Sequence, residues 1–298
     1  MNWKNEIQQS KTEPNSLDIY NFLNYWQNFI SRWHTYVGGL DKTDSNFFTP
    51  DMDYSGWGKV DLSFRDYFPE PYFGNPNYLN ADKIHAVFIN LNPGPPRDEQ
   101  SFEKSGAYLK LFTDNKCIYL DTLLKMEQDY YSSSKEKIAK KTFDWWHKFR
   151  ANWINEFFKP SDLRYHIRIS NILGLELSPW HSNTFSQIKS INPEFIKEHT
   201  MHWACKFSKL INNPLLRNNN NSIILSCGSG FKSFFHKEKW QEITPDFLNK
   251  KWKVWRWKYD NDTIILNFHQ TATKGVVKLN FPNNINIRSE LQKFVSKQ

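Results

Sequence analysis

The chain has 298 residues, of which 39% are hydrophobic, 23% charged and 17% aromatic. Those proportions exclude a highly charged disordered chain, and no run approaches the ~20 apolar residues that a membrane-spanning helix needs. A mean hydropathy of −0.71 reflects abundant Asn, Lys and Tyr rather than a missing core, because apolar and polar segments still alternate along the chain. The formal charge of +8 favours polyanionic partners without requiring them. Cys117, Cys205 and Cys227 are odd in number and far apart, so neither a disulfide framework nor a four-cysteine metal site is expected. The N-terminus is polar and lacks the apolar stretch of a signal peptide, which points to a reducing, cytoplasmic setting.

In chain order, Ile19, Leu23, Trp26, Ile30, Trp33 and Val37 form one apolar stripe at steps of three and four, predicting a helix with Ser16 as its N-cap and Gly38-Gly39 at its end. From Leu40 to Pro71, aromatics scattered among Asp, Ser, Gly and Pro predict a long irregular segment. Residues 84–91 read as a buried strand that runs into the stiff turn Asn92-Pro93-Gly94-Pro95-Pro96. Phe143, Trp146, Phe149, Trp153 and Phe157 mark a second helix, and a β-like run from His166 to Leu177 breaks at Ser178-Pro179. Asn192-Pro193 has the pattern of an N-cap followed by proline at the first helical position, with Ile196, Trp203, Phe207 and Leu210 continuing that helix. Asn218 to Asn221 reads as a surface loop. Ser222 to Cys227 is a further buried strand, stopping at Gly228-Ser229-Gly230, and Thr263 to Phe268 is another, with His269 immediately beyond it.

Strands alternating with helical segments predict an α/β fold, a three-layer sandwich around a short, mainly parallel sheet. In such sheets functional groups gather beyond the carboxyl ends of strands. Asn92, Glu176, His181, the Gly228-Ser229-Gly230 turn and His269 all stand at such positions.

Asn90-Leu91-Asn92-Pro93-Gly94 after a buried strand resembles the first motif of the uracil-DNA glycosylase superfamily, most closely its mismatch-specific branch. His269-Gln270-Thr271-Ala272-Thr273-Lys274-Gly275 resembles the family's histidine-led loop, although Gln270 and Thr271 stand where the family has Pro and Ser. The resemblance covers roughly residues 70–285 and implies a glycosylase-like domain over 70–298, with 1–69 as an N-terminal helical extension packed on it. It implies a hydrolase that cuts the N-glycosidic bond of a uracil, mismatched or modified base in DNA.

Carried over residue by residue, the resemblance makes Asn92 the group that positions water. As a neutral amide it can orient the nucleophile but is a poor base. His269 becomes the donor to the base oxygen where negative charge develops. Pro93 and Gly94 shape the water-binding turn, and Phe102, with Tyr108 second, is the candidate for stacking on the extruded base. Asn171 or Glu176 would read the polar edge of the base, with His181 beside them. A carboxylate accepts rather than donates, so Glu176 would favour a base carrying an amino group. Gln270, Thr271, Thr273, Lys274 and Gly275 would handle the DNA backbone.

Each assignment has a plainer counterpart: a histidine bonded to a loop carbonyl, a glutamate paired with Lys or Arg, an ordinary Pro-Gly turn, an aromatic in the core. The basic, aromatic stretch Lys250 to Lys258 suits phosphates and bases, and equally suits an amphipathic strand with one wet face. His199, His202 and Cys205 drift around a helix at three-residue steps and do not make a metal site. No P-loop and no nucleophile elbow is present. The expected partner is DNA, with no metal, cofactor or membrane, and the expected state is a monomer. The competing readings are a non-catalytic nucleic-acid-binding or defence-associated protein retaining the fold, and an enzyme acting on a free nucleoside or another small molecule. The sharpest expectation is geometric: Asn92, Glu176 (ahead of Asn171) and His269 should converge on one cleft.

Overall fold

The computed structural model describes residues 16–39, 56–59, 66–79, 82–91, 100–106, 109, 155, 167–168, 171–211, 213–214, 216–218, 221–227, 229–235, 239–243 and 253–268. The chain divides into two compact units, each assembled from separated segments. The first draws on Met1–Asn80, Ile89–Ile118 and Leu173–Leu210, and the second on Ala81–Phe88, Tyr119–Ile172 and Ile211–Gln298. This division does not coincide with the expected boundary between residues 69 and 70.

The first unit is organised by helix α1, Ser16–Gly39. The expected stripe is buried from Ile19 to Trp33, and Phe22 and Phe29 widen it. Widening is what a helix needs when it is packed on more than one side. The helix therefore contributes to the core of this unit. Phe22 packs its ring 5.0 Å from Tyr72 and 5.0 Å from Phe207, and Trp26 lies 5.0 Å from Trp57.

Trp57 lies in strand β1, Trp57–Lys59, and Tyr72 in β2, Tyr72–Phe73. Strand β3, Ala86–Asn90, and strand β4, Ile172–Glu176, are buried at every position, as their continuous apolar runs predict. Strand β5, Lys189–Ile191, pairs antiparallel with β1, with Trp57 opposite Ile191. Helix α2, Pro193–Ile196, starts as expected: the Asn192 side-chain oxygen accepts from the backbone N–H groups of Glu194 and Phe195. A π-turn, Lys197–Met201, interrupts the helical path before α3, His202–Lys209. Lys206 of α3 and Asp18 of α1 form a buried ion pair at 2.7 Å.

The second unit contains a mixed sheet. Strands β6, Arg217–Asn218, and β7, Asn221–Cys227, form an antiparallel hairpin in which Asn218 pairs with Asn221, so the asparagine-rich patch is part of a strand pair and not only a loop. Helix α4, Ser229–Phe234, follows β7. Strands β8, Gln241–Glu242, β9, Val254–Lys258, and β10, Thr263–Phe268, complete it. Strand β10 pairs parallel with β7 along its whole length and antiparallel with β9, and β9 pairs antiparallel with β8.

The α/β class holds, and the sheet is mixed, with β10 parallel to β7 and the other pairings described here antiparallel. A parallel pair needs a long crossover, which the segment between β7 and β10 supplies. The short strands are joined by tight connections and add on antiparallel, as β2 does on β4. The β9–β10 turn is set by Asp260, whose carboxylate accepts from the N–H of Asp262 at 2.8 Å. Of the expected helix over residues 143–157, only Asn155 is described. Its side chain bonds both the N–H and the C=O of Ile167, each at 2.7 Å. Among the described residues no helix is long and apolar enough to cross a membrane.

Gly174 of β4 faces Phe73 of β2 so closely that a Cβ would sit 1.6 Å from the ring. Gly174→Ala should therefore cost about 1–3 kcal/mol of stability as an overpacked core substitution. Adding Phe73→Leu should recover part of that loss, both changes being read by denaturant unfolding of the full chain.

Candidate functional site

Strand β3 is apolar until its last residue. Asn90 is buried, and its side-chain amide must find a partner without water. Strand β4 ends the same way, on Glu176, 4% exposed. The two meet: Asn90 Nδ2 donates to Glu176 Oε1 at 2.9 Å across 86 residues of sequence. The backbone continues the contact beyond both strands. Leu177 N–H donates to Asn90 O at 2.9 Å, and Ser178 N–H to Leu91 O at 3.2 Å.

Other groups of the first unit complete a buried polar cluster. Glu176 N–H donates to Pro71 O, and Glu70 N–H to Pro179 O, each at 2.9 Å. The Glu70 carboxylate has one oxygen 3.7 Å from His181 Nε2 and the other accepting from the Gln100 side-chain amide. Ser178 Oγ donates to Trp57 O at 3.0 Å, tying the end of β4 to β1. Thr200 Oγ1, in the π-turn, reaches Glu176 O at 3.5 Å.

This set holds two carboxyl groups, two amides and one imidazole. Its side chains form two groups, Asn90 with Glu176 and Glu70 with Gln100 and His181, joined to each other through the backbone bonds.

Behind it lies His199, buried among aromatic rings. Its ring centroid is 4.3 Å from Tyr25, 4.9 Å from Trp57, 5.4 Å from Trp26 and 6.1 Å from Phe195. Burial, with a smaller contribution from His202, pushes its pKa down to about 3. Burial, then Lys206, pushes His202 down to about 4. Among the described residues no group of three His, Cys, Asp or Glu could hold a metal ion.

The expected site residues fall into three groups. Glu176 and His181 belong to the buried cluster. Asn171 and Phe102 do not. Asn171 immediately precedes β4, at the end of the strand away from Glu176, where its amide donates to Lys83 O at 2.7 Å. That backbone carbonyl occupies the amide assigned to base reading. Phe102, half-buried, packs 5.9 Å from Trp33 and 5.0 Å from His34 of α1, beside Gly38. Asn92, Pro93, Gly94, Tyr108, His269, Gln270, Thr271, Thr273, Lys274 and Gly275 lie outside the described residues.

Within the basic, aromatic stretch, Trp257 is buried against Trp240 and Phe235, and Trp255 lies under Lys232 Nζ at 2.9 Å from its ring centre. Those indoles serve the second unit's own packing. Only Lys253 and Lys258 of the described part are exposed.

Asn90, Glu70 and Gln100 were not singled out by the sequence reading. Asn90 carried a signal, a polar residue closing a strand that is otherwise Ala-Val-Phe-Ile. Glu70 and Gln100 sit in irregular segments and carried none. No family model, curated protein or solved structure matches the chain.

Asn90→Ala should lower stability by about 1–3 kcal/mol, since it removes a buried partner of Glu176. Glu176→Gln keeps an acceptor oxygen for the Asn90 amide and should cost less. A double-mutant cycle read by denaturant unfolding checks the coupling between them.

Proposed function

We propose that the protein is a DNA N-glycosylase that hydrolyses the bond between a uracil, mismatched or modified base and its sugar. The observation that supports this reading is the Asn90–Glu176 hydrogen bond. The strand that leads into Asn92-Pro93-Gly94 and the strand that ends in Glu176 finish side by side in the first unit, joined by two further backbone bonds. A water-positioning turn and a base-reading carboxylate need that proximity.

In the proposed reaction one nucleotide is rotated out of the stack, at a cost of a few kcal/mol that stacking and phosphate contacts offset. Asn92 orients the water whose oxygen bonds to C1′ as the C1′–N bond breaks. The bonding electrons leave with the base, His269 donates to the base oxygen that gathers the charge, and the proton lost by the water ends on the departing base. Glu176 accepts from an exocyclic amino group, which favours cytosine-like bases over uracil's imide edge. The same proposal has the protein act in the cytoplasm as a monomer, without a metal or cofactor, with Lys274 and its loop on the DNA backbone.

The near-complete burial of Glu176 and His181 favours a second reading, in which the cluster is scaffold and the chain binds nucleic acid without cutting it. Base release decides between the two. Oligonucleotides carrying uracil, mismatches or modified cytosines are incubated with the full chain, and the freed base is detected before strand scission. Release is expected, and binding without release would select the second reading.

Given release, His269→Ala should slow it about 100-fold, the effect of one oxyanion donor worth ~3 kcal/mol. Asn92→Ala should slow it without abolishing it, and Glu176→Gln should alter base preference more than DNA affinity. Unchanged release by folded His269→Ala would overturn the assigned mechanism.

Binding itself should weaken as salt rises, because neutralising phosphates releases counterions. Titration of labelled single- and double-stranded DNA at two salt concentrations measures this. Failure to bind either form at low salt would turn the proposal toward a free nucleoside substrate.

A further inference from the structure

His199 is an unusual tenant of an apolar interior. Both of its ring nitrogens are buried and have no hydrogen-bond partner among the described residues. A buried polar group left in that state costs about 1–3 kcal/mol, which a leucine or phenylalanine at the same place would not. The backbone that carries it is also unusual: Lys197–Met201 forms a π-turn, a rare local geometry that recurs at functional sites.

The cage that holds the imidazole is assembled from three directions. Helix α1 supplies Tyr25 and Trp26, strand β1 supplies Trp57, and helix α2 supplies Phe195. Trp57 Nε1 donates to the Tyr25 hydroxyl at 3.3 Å, closing one wall on another. The cage also bears on the end of β4 by two links. Thr200, next to His199, reaches Glu176 O, and the Trp57 carbonyl accepts from Ser178.

We propose that His199 is an acid-sensitive latch: its neutral ring closes the aromatic cage, and protonation opens the cage and frees the π-turn from the strand end that carries Glu176.

Burial and His202 act on the ring in the same direction. From α1 the cage faces the Tyr25 hydroxyl, with Asp18 about two turns away along the helix and paired to Lys206. From α3 the nearest is His202, whose charge opposes a charge on His199. From β4 it is Glu176, reached only through its backbone oxygen and Thr200. None of these contacts hands the imidazole an acceptor for a second N–H.

An imidazolium in the closed cage is therefore desolvated by burial and meets no acceptor among the described residues. In the open state the ring takes a proton near its ordinary value of 6.5, and in the closed state only near 3. The open state binds more protons throughout that interval, so the closed state loses stability as pH falls from 6.5, and is most stable above it. His202, held down to about 4, adds to the same trend.

Deuterium exchange at the imidazole C2 carbon of the full chain, resolved residue by residue by mass spectrometry, reports the protonation of His199 directly. Tryptophan fluorescence reports the cage through Trp26 and Trp57. We expect His199 to stay neutral to well below pH 6.5 and to titrate together with a fluorescence change. His199→Phe fills the cage with an apolar ring and should move the acid midpoint of that change down by about one pH unit or more. His202→Gln should move it less.

Titration of His199 near 6.5 with the cage signal unaltered would overturn the latch, as would an unshifted midpoint in folded His199→Phe. Should that variant fail to fold, the wild-type exchange curve decides, by coinciding or not with the fluorescence change. Neither readout involves DNA or base release, so the latch can fail or stand independently of the glycosylase proposal.

Discussion

A strand buried on both faces offers its polar side chains no water, so each such side chain has to find another protein group or be absent. Most of what distinguishes this protein from a plain α/β scaffold follows from that constraint. Strands β3 and β4 are apolar until they end, and their terminal polar residues, Asn90 and Glu176, are bonded to each other. The second unit answers the same demand within its own sheet. Asn267 Nδ2 donates to Ser226 Oγ at 3.0 Å between the parallel strands β10 and β7, both residues fully buried. Polar pairs of this kind fix register, because a slip of one residue would strand both partners in the core.

Periodicity carried the fold well and chemistry less well. The α1 stripe, the Asn192-Pro193 helix start and the strands at 84–91, 222–227 and 263–268 were legible because each is governed by local rules: spacing, capping and continuous apolar runs. The short edge strands were not legible in the same way. Strand pairs form between distant segments, and two-residue strands such as β2 and β8 leave almost no mark in a sequence. The two-unit division was hidden for a related reason, since each unit mixes segments from three parts of the chain.

At the candidate site, strand-end position was the useful signal, and it found Glu176 and His181. It could not find Glu70 or Gln100, which reach the cluster from irregular segments whose course only tertiary packing sets. Aromatic residues misled for a different reason. In a chain that is 17% aromatic, most rings are core, and Phe102 packs on α1 as the commonest fate of a phenylalanine would suggest. The π-turn at Lys197–Met201 left no trace at all, because Ile196, Trp203 and Phe207 keep a helical spacing through it.

The interleaving of the two units has a consequence for how the chain comes into being. Helix α1 is made before part of what it packs against: Trp57 and Tyr72 follow closely, but Phe207 and Lys206 come much later, Lys206 lying 188 residues beyond Asp18. At ~5–20 residues per second, a ribosome needs roughly 10–40 s to make that stretch. Throughout that interval a helix with seven buried apolar side chains, from Ile19 to Trp33, lacks the part of its native cover that α3 supplies. The second unit interrupts the first before its last segment has been made, so neither can fold as a finished block while the other waits. Long-range closure of this kind slows folding and prolongs exposure of sticky surface. The newborn chain therefore depends on whatever shields α1, and the growing polypeptide is most vulnerable to aggregation before Leu210 emerges.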